Sequence, residues 1–157
     1  MKVGIDSYCF HRFFGEVYGH QAPPPFQMTV FDFLDFAKEV GVDGVSLESC
    51  FLPSFDKGFL AELKARLDEY GFDRVYAWGH PDGLEAGRNE AAYHDMIKNV
   101  EYAAAIGAPV MRICASSFTF RLEPHRPQME KLVPWLKEGA RVAESYGIKM
   151  AADNHID

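Results

Sequence analysis

No apolar run in this chain approaches the ~20 residues needed to span a bilayer, so nothing in the sequence predicts a transmembrane helix. Cysteine is scarce: Cys9, Cys50 and Cys114 are the only three, with no CxxC spacing. That argues against a disulfide framework and fits unpaired thiols in a reducing compartment. Cations are outnumbered, 16 Lys and Arg against 23 Asp and Glu, for a net charge of −7. A broad nucleic-acid surface needs clustered Lys and Arg to displace counterions, so that partner class is excluded, while a local cationic pocket for a small anion remains allowed. The opening MKVGIDSYCF lacks the long apolar core and small-residue cleavage site of a signal peptide. The chain reads as soluble and cytoplasmic, with no linker, low-complexity tract or second domain in view.

What the 157 residues do contain is enough apolar material for one core, at 48% hydrophobic, and an aromatic excess of 13 Phe and 7 Tyr. Four phrases recur: EVGVDGV at 39–45, EYGFDRV at 69–75, AIGAPVM at 105–111 and SYGIKMA at 145–151. In each, a helix-like segment ends at a glycine (Gly41, Gly71, Gly107, Gly147) and a β-prone run follows. Glycine there takes the left-handed conformation that closes a helix, and the intervals match one strand-plus-helix unit.

The segments before these glycines carry helical spacing. Val30, Phe33, Leu34, Ala37 and Val40 lie on one face, with Thr29 as N-cap and Asp32 in the first turn. Leu60, Leu63, Leu67 and Tyr70 repeat the pattern, as do Met96, Ile97 and Val100, and then Leu132, Leu136, Ala140 and Ala143. The runs KVGIDSYCF, VSLES, VYAWGH, VMRICAS and IKMAADNH read as strands. Strands alternating with helices imply a parallel sheet, either an open doubly wound sheet or part of a (β/α)8 barrel. The Gly-rich GxGxxG that a dinucleotide site needs after the first strand is absent.

In both architectures ligands bind at the carboxyl ends of the strands. Those ends carry Asp6, Tyr8 and His11, then Glu48, then Trp78 and His80, then Arg112 and Ser116, and finally Asp153 and His155. Side-chain alternation allows matching inward sets: Ser46 with Glu48, Trp78 with His80, Arg112 with Cys114, Ala151 with Asp153 and His155. The strand starts are much poorer in such groups, which points to a small-molecule site. Each residue also has a structural reading. Asp153 serves equally as a turn cap, His155 as a hydrogen-bonded neighbour and Glu48 as a salt-bridged group. The cysteines read as small buried apolar groups, and FRLEPHRPQ at 120–128 reads as a solvated loop. The loop HRFFGEVYGHQAPPPFQM is long, aromatic and Pro-rich, as suits a stiff wall over a pocket or a surface excursion packed by its own rings.

The terminal ADNHID resembles the fifth-strand motif of the sugar phosphate isomerase/epimerase superfamily, the xylose isomerase-like TIM barrels, where Glu is followed by Asn-His. VGVDGVSLE at 40–48, IGAPVMRI at 106–113 and YGIKMA at 146–151 resemble the same family's second, fourth and fifth strands. The resemblance implies a divalent metal (Mn, Mg, Co or Zn) that assists proton transfer beside a carbonyl of a sugar or sugar phosphate. It assigns Asp153 as catalytic acid/base and metal ligand, although the family usually has the longer Glu there. Tyr8, Glu48, Trp78, His80, Arg112 and His155 become substrate-binding expectations. A full barrel takes about 250 residues. The five strands of residues 1–157 thus predict a single partial TIM-barrel domain, C-terminally incomplete. The family's other metal ligands lie on later strands, so the metal site would be incomplete within this chain. A homo-oligomer or a second chain could complete the barrel. A non-catalytic partial-barrel subunit and an AP-endonuclease-like hydrolase are the rival functions.

Overall fold

The computed structural model describes residues 1–115, 119–120 and 122–153. Five strands, β1 (Gly4–Asp6), β2 (Gly44–Glu48), β3 (Asp73–Trp78), β4 (Val110–Cys114) and β5 (Lys149–Asp153), form one sheet. The spatial order is β1-β2-β3-β4-β5 and every neighbouring pair is parallel. Four helices connect them: α1 (Val30–Val40), α2 (Lys57–Tyr70), α3 (Glu90–Ala105) and α4 (His125–Ser145). Consecutive strands lying side by side, each joined by a helix, are the wall of a partial (β/α)8 barrel rather than a doubly wound sheet, in which the order would reverse.

The local signals act as their chemistry requires. Thr29 Oγ1 accepts from the Asp32 amide at 3.2 Å and Asp32 Oδ2 accepts from the Thr29 amide at 2.8 Å, a reciprocal cap at the start of α1. Gly41, Gly71, Gly107 and Gly147 have φ of 81°, 71°, 71° and 72°, the left-handed turn that closes each helix. FRLEPHRPQ departs from expectation, because α4 already begins at His125. Pro127 falls in its first turn, where a missing N–H leaves nothing unpaired. The loop after β1 also gains structure, since Ser7–Phe14 coils into a 3-10 helix capped by the Asp6 side chain.

The sheet has two unlike faces. Val45, Leu47, Tyr76, Met111 and Ile113 are buried against the helices, where they meet Phe33, Leu34, Leu63, Leu67, Met96 and Val100. Each such side chain contributes roughly 1.5–3 kcal/mol by leaving water, so this layer holds the fold together. The alternate residues, Asp6, Ser46, Glu48, Ala77, Arg112 and Asp153, point to the open, concave side. Register carries them into line, with Glu48 opposite Ala77, Ala77 opposite Arg112 and Arg112 opposite Ala151. Among the described residues no helix is long and apolar enough to cross a membrane.

Candidate functional site

At the carboxyl ends of the strands lies an open cavity of about 890 Å³. Its floor is an ion-pair cluster centred on Arg112 of β4. Arg112 Nη1 donates to Asp153 Oδ2 of β5 at 2.6 Å, Nη2 donates to Glu48 Oε1 of β2, and Asp6 Oδ2 of β1 lies 3.6 Å from Nη2. Three carboxylates from three strands thus surround one guanidinium. Glu48 is only 5% exposed, so its charge depends on Arg112 for compensation. The Nε of Arg112 is buried with no hydrogen-bond partner.

Backbone bonds beyond the strand ladder hold the cluster in place. Ser7 Oγ accepts from the Glu48 amide at 2.9 Å, and Ser49 Oγ accepts from the Gly79 amide at 2.9 Å, tying the ends of β1, β2 and β3 together. Gly79 is required by space. A methyl there would fall 2.9 Å from Glu48 Oε2 and 3.0 Å from Cys50 Sγ.

One wall is aromatic. The rings of Phe14 and Phe51 are parallel within 3° at 4.7 Å between centroids, Tyr8 stacks on Phe51 at 6.1 Å, and His11 stacks on Tyr8 at 5.3 Å. Above them Tyr18 donates to Glu16 Oε1 at 2.9 Å, and the Tyr8 and Tyr18 hydroxyls hydrogen-bond each other. The bond to Tyr8, then burial and the Glu16 carboxylate, push the Tyr18 phenol above its ordinary value, so it stays protonated as a donor. On the opposite wall His80 stacks on Trp78 at 5.5 Å and its Nδ1 accepts from the Asp82 amide at 3.2 Å. In the neutral ring that leaves Nε2 as the N–H.

The residues expected from sequence are thus largely brought together: Tyr8, Glu48, His80 and Arg112 line this mouth, and Asp153 joins them through its ion pair with Arg112. Trp78 needs a correction. Ala77, not Trp78, is in phase with Glu48 and Arg112, and Trp78 turns to the helix side, where its Nε1 donates to Asp95 Oδ2 of α3 at 2.8 Å. It is 2% exposed, and only its edge borders the cavity. The alternation fails because Gly79 breaks the strand, which brings His80 back to the rim without Trp78. The cysteines are a second correction: Cys9 and Cys50 are exposed and Cys114 is half-buried. The Cys50 sulfur is nonetheless tucked beside Gly79, and burial, then the charge of Glu16, raises its thiol to about 11. Ser116 and His155 lie outside the described residues. Sequence reasoning missed Ser7, Ser49 and the Phe14–Phe51 pair. The ESCF that follows the second strand, a serine and an aromatic beside the acid, was the available signal.

Comparison with known proteins bears on this geometry. The profile of a family described as xylose isomerase-like TIM barrel matches residues 34–156. The comparison with curated proteins gives no match. Among solved structures, D-psicose 3-epimerase from Clostridium cellulolyticum H10, crystallised with D-tagatose, superposes with a TM-score of 0.72 at 15% identity, over 96% of this chain and 51% of that one. An L-ribulose 3-epimerase gives 0.70 at 17% identity, over 97% and 49%. The 3-keto-D-glucoside 4-epimerase of E. coli gives 0.66 at 21%, over 97% and 55%. At these identities the likeness establishes the fold, and the chain spans about half the length of these structures.

Proposed function

The chain belongs to the xylose isomerase-like TIM barrel family, and from that premise we propose that it supplies the strand 1–5 half of a sugar isomerase or epimerase site. The observation that carries this reading is the Glu48–Arg112–Asp153 cluster facing an aromatic wall at the strand ends. A sugar presents an apolar C–H face and a hydroxylated edge. The Tyr8–Phe51–Phe14 wall suits the face, and the carboxylates with His80 Nε2–H suit the edge. Asp153 acts as the base that takes the proton from the carbon beside the carbonyl and returns it to the neighbouring carbon on the same face, while the hydroxyl proton passes to the former carbonyl oxygen, so that carbonyl and hydroxyl exchange places. The positive charge of the Arg112 guanidinium opposes the negative charge that develops on the carbonyl oxygen. Residues 1–157 act as one partial-barrel domain, and the unbridged thiols of Cys9, Cys50 and Cys114 suit a reducing, cytoplasmic setting.

For the divalent ion that the family resemblance implies, Asp153 offers one carboxylate, already paired with Arg112. Among the described residues no group of three or more His, Cys, Asp or Glu is placed to hold a metal. This donor set does not make a metal site by itself, and no step here is assigned to one.

Deuterium wash-in at the carbon beside the carbonyl, followed by NMR with a panel of ketoses and aldoses in D₂O, tests the proposal. Exchange is expected with the native protein and a fall of about 10²–10⁴ in Asp153→Asn. No exchange with any sugar, or an unchanged rate in the variant, would remove the assignment. A second reading, a non-catalytic subunit, draws on the free edges of β1 and β5, which pair only with β2 and β4 among the described residues. A second chain or copy would then complete the barrel, and the mass in solution would exceed that of the monomer.

A further inference from the structure

We propose that Asp95, on α3 and outside the cavity, is a positioning residue that aims His80 into the cavity through Trp78. Its bearing on the reaction rests on the sugar reading above. The end of β3 is tied to α3 by more than apolar packing. Trp78 Nε1 donates to Asp95 Oδ2 at 2.8 Å. The Asn99 side-chain nitrogen donates to the same carboxylate oxygen at 3.2 Å and to the Asp95 carbonyl at 2.8 Å. Tyr76, also on the helix side of β3, donates its hydroxyl to Asn99 Oδ1. Tyr76, Trp78 and Asn99 are each 3% exposed or less, so their polar atoms need these partners. Apolar side chains could fill the same layer. A satisfied polar chain adds one fixed orientation for each ring.

His80 is where this chain of contacts reaches the cavity. Its ring stacks on the indole at 5.5 Å and 29° between planes, and the Asp82 amide donates to its Nδ1 at 3.2 Å. The tilt of the indole therefore sets where Nε2–H points. Asp95 is itself exposed, so truncating it leaves neither a cavity nor a stranded buried charge. What is lost is the acceptor of a buried indole N–H, and the ring must turn to regain one. An imidazole that turns with it loses the Asp82 bond that fixes its tautomer.

Heteronuclear NMR of the ring nitrogens tests this on sugar-free protein with neutral imidazoles, in native, Asp95→Ala and Asp95→Asn forms. Native His80 is expected to show the well-separated nitrogen signals of a single tautomer, with the proton on Nε2. In Asp95→Ala those two signals should draw together and the Trp78 Nε1–H signal should shift, while His11 on the opposite wall stays unmoved. Asp95→Asn keeps an acceptor for the indole and should restore the native pattern, which a general loosening of α3 would not do. His80 signals unchanged in Asp95→Ala, or disturbed equally in Asp95→Asn, overturn the inference. Exchange in D₂O with the same panel of ketoses and aldoses reads the consequence: a fall of about 10–100-fold in Asp95→Ala, absent in Asp95→Asn. A native rate in Asp95→Ala also overturns the inference and leaves the sugar reading standing. No exchange in the native protein removes the sugar reading, while the ring signals still decide whether Asp95 positions His80.

Discussion

At the amino ends of the strands, Lys2 Nζ and Asp73 Oδ2 lie 2.6 Å apart with side chains 74% and 64% exposed, beside a cavity of about 470 Å³. At the carboxyl ends, Arg112 pairs with Glu48, whose side chain is only 7% exposed, beside a cavity of about 890 Å³. The residue types are similar and their physical roles differ. Asp43 and Asp73 at the amino mouth tie chain to chain: Asp43 Oδ2 accepts from the Val3 amide at 2.7 Å, and water solvates whatever charge is left. At the carboxyl mouth the Glu48 carboxylate has been taken out of water, and it converges with Asp6 and Asp153, each partly exposed, on one guanidinium, an arrangement that costs stability and that ordinary packing does not require. The contrast supports the carboxyl mouth as the proposed site more firmly than a count of polar residues at each end.

Breaking one pair at each mouth should give very different losses. Arg112→Ala is expected to destabilise the protein by on the order of 3 kcal/mol, because it strands the buried Glu48 carboxylate. Lys2→Ala should leave stability close to unchanged, as exposed pairs do. Urea unfolding of both variants reads the difference, and equal losses would abolish the contrast. Next in size, Gly79→Ala forces a methyl against Glu48 and Cys50 and should cost about 1–2 kcal/mol. Exchange of the proton beside the sugar carbonyl in D₂O should slow with it. The smallest effect is chemical. With its thiol raised to about 11 by burial, Cys50 should alkylate slowly with iodoacetamide near pH 8 and faster as pH rises toward that value, because only the thiolate attacks. Rapid labelling at neutral pH would mean that its sulfur is not enclosed beside Gly79.

Much of this architecture could be read from local spacing. The Gly41, Gly71, Gly107 and Gly147 phrases marked where each helix closes, and Thr29 with Asp32 marked where one opens, because both depend on neighbours within a turn. The strand order followed from the repeat itself. The orientation of Trp78 was not legible, since a strand of unknown end has unknown phase, and Gly79 ended it one residue before His80. The state of Glu48 was open between pocket acid and salt-bridged group. It is both, through an arginine 64 positions away in the chain, a pairing no local pattern encodes. The exposed Cys9 and Cys50 were misread because hydrophobic burial is a tendency of the residue type, not a property of the position. The start of α4 at His125 was hidden by prolines that sit harmlessly in a first turn.

The most direct measurement is a crystal structure of the protein soaked with whichever sugar exchanges its proton in D₂O. The account predicts sugar density at the carboxyl mouth, its C–H face against Tyr8 and Phe51 and its hydroxylated edge toward Glu48, Arg112 and Asp153. Density at the amino mouth near Lys2 and Asp73, with the carboxyl mouth left to solvent, would contradict it.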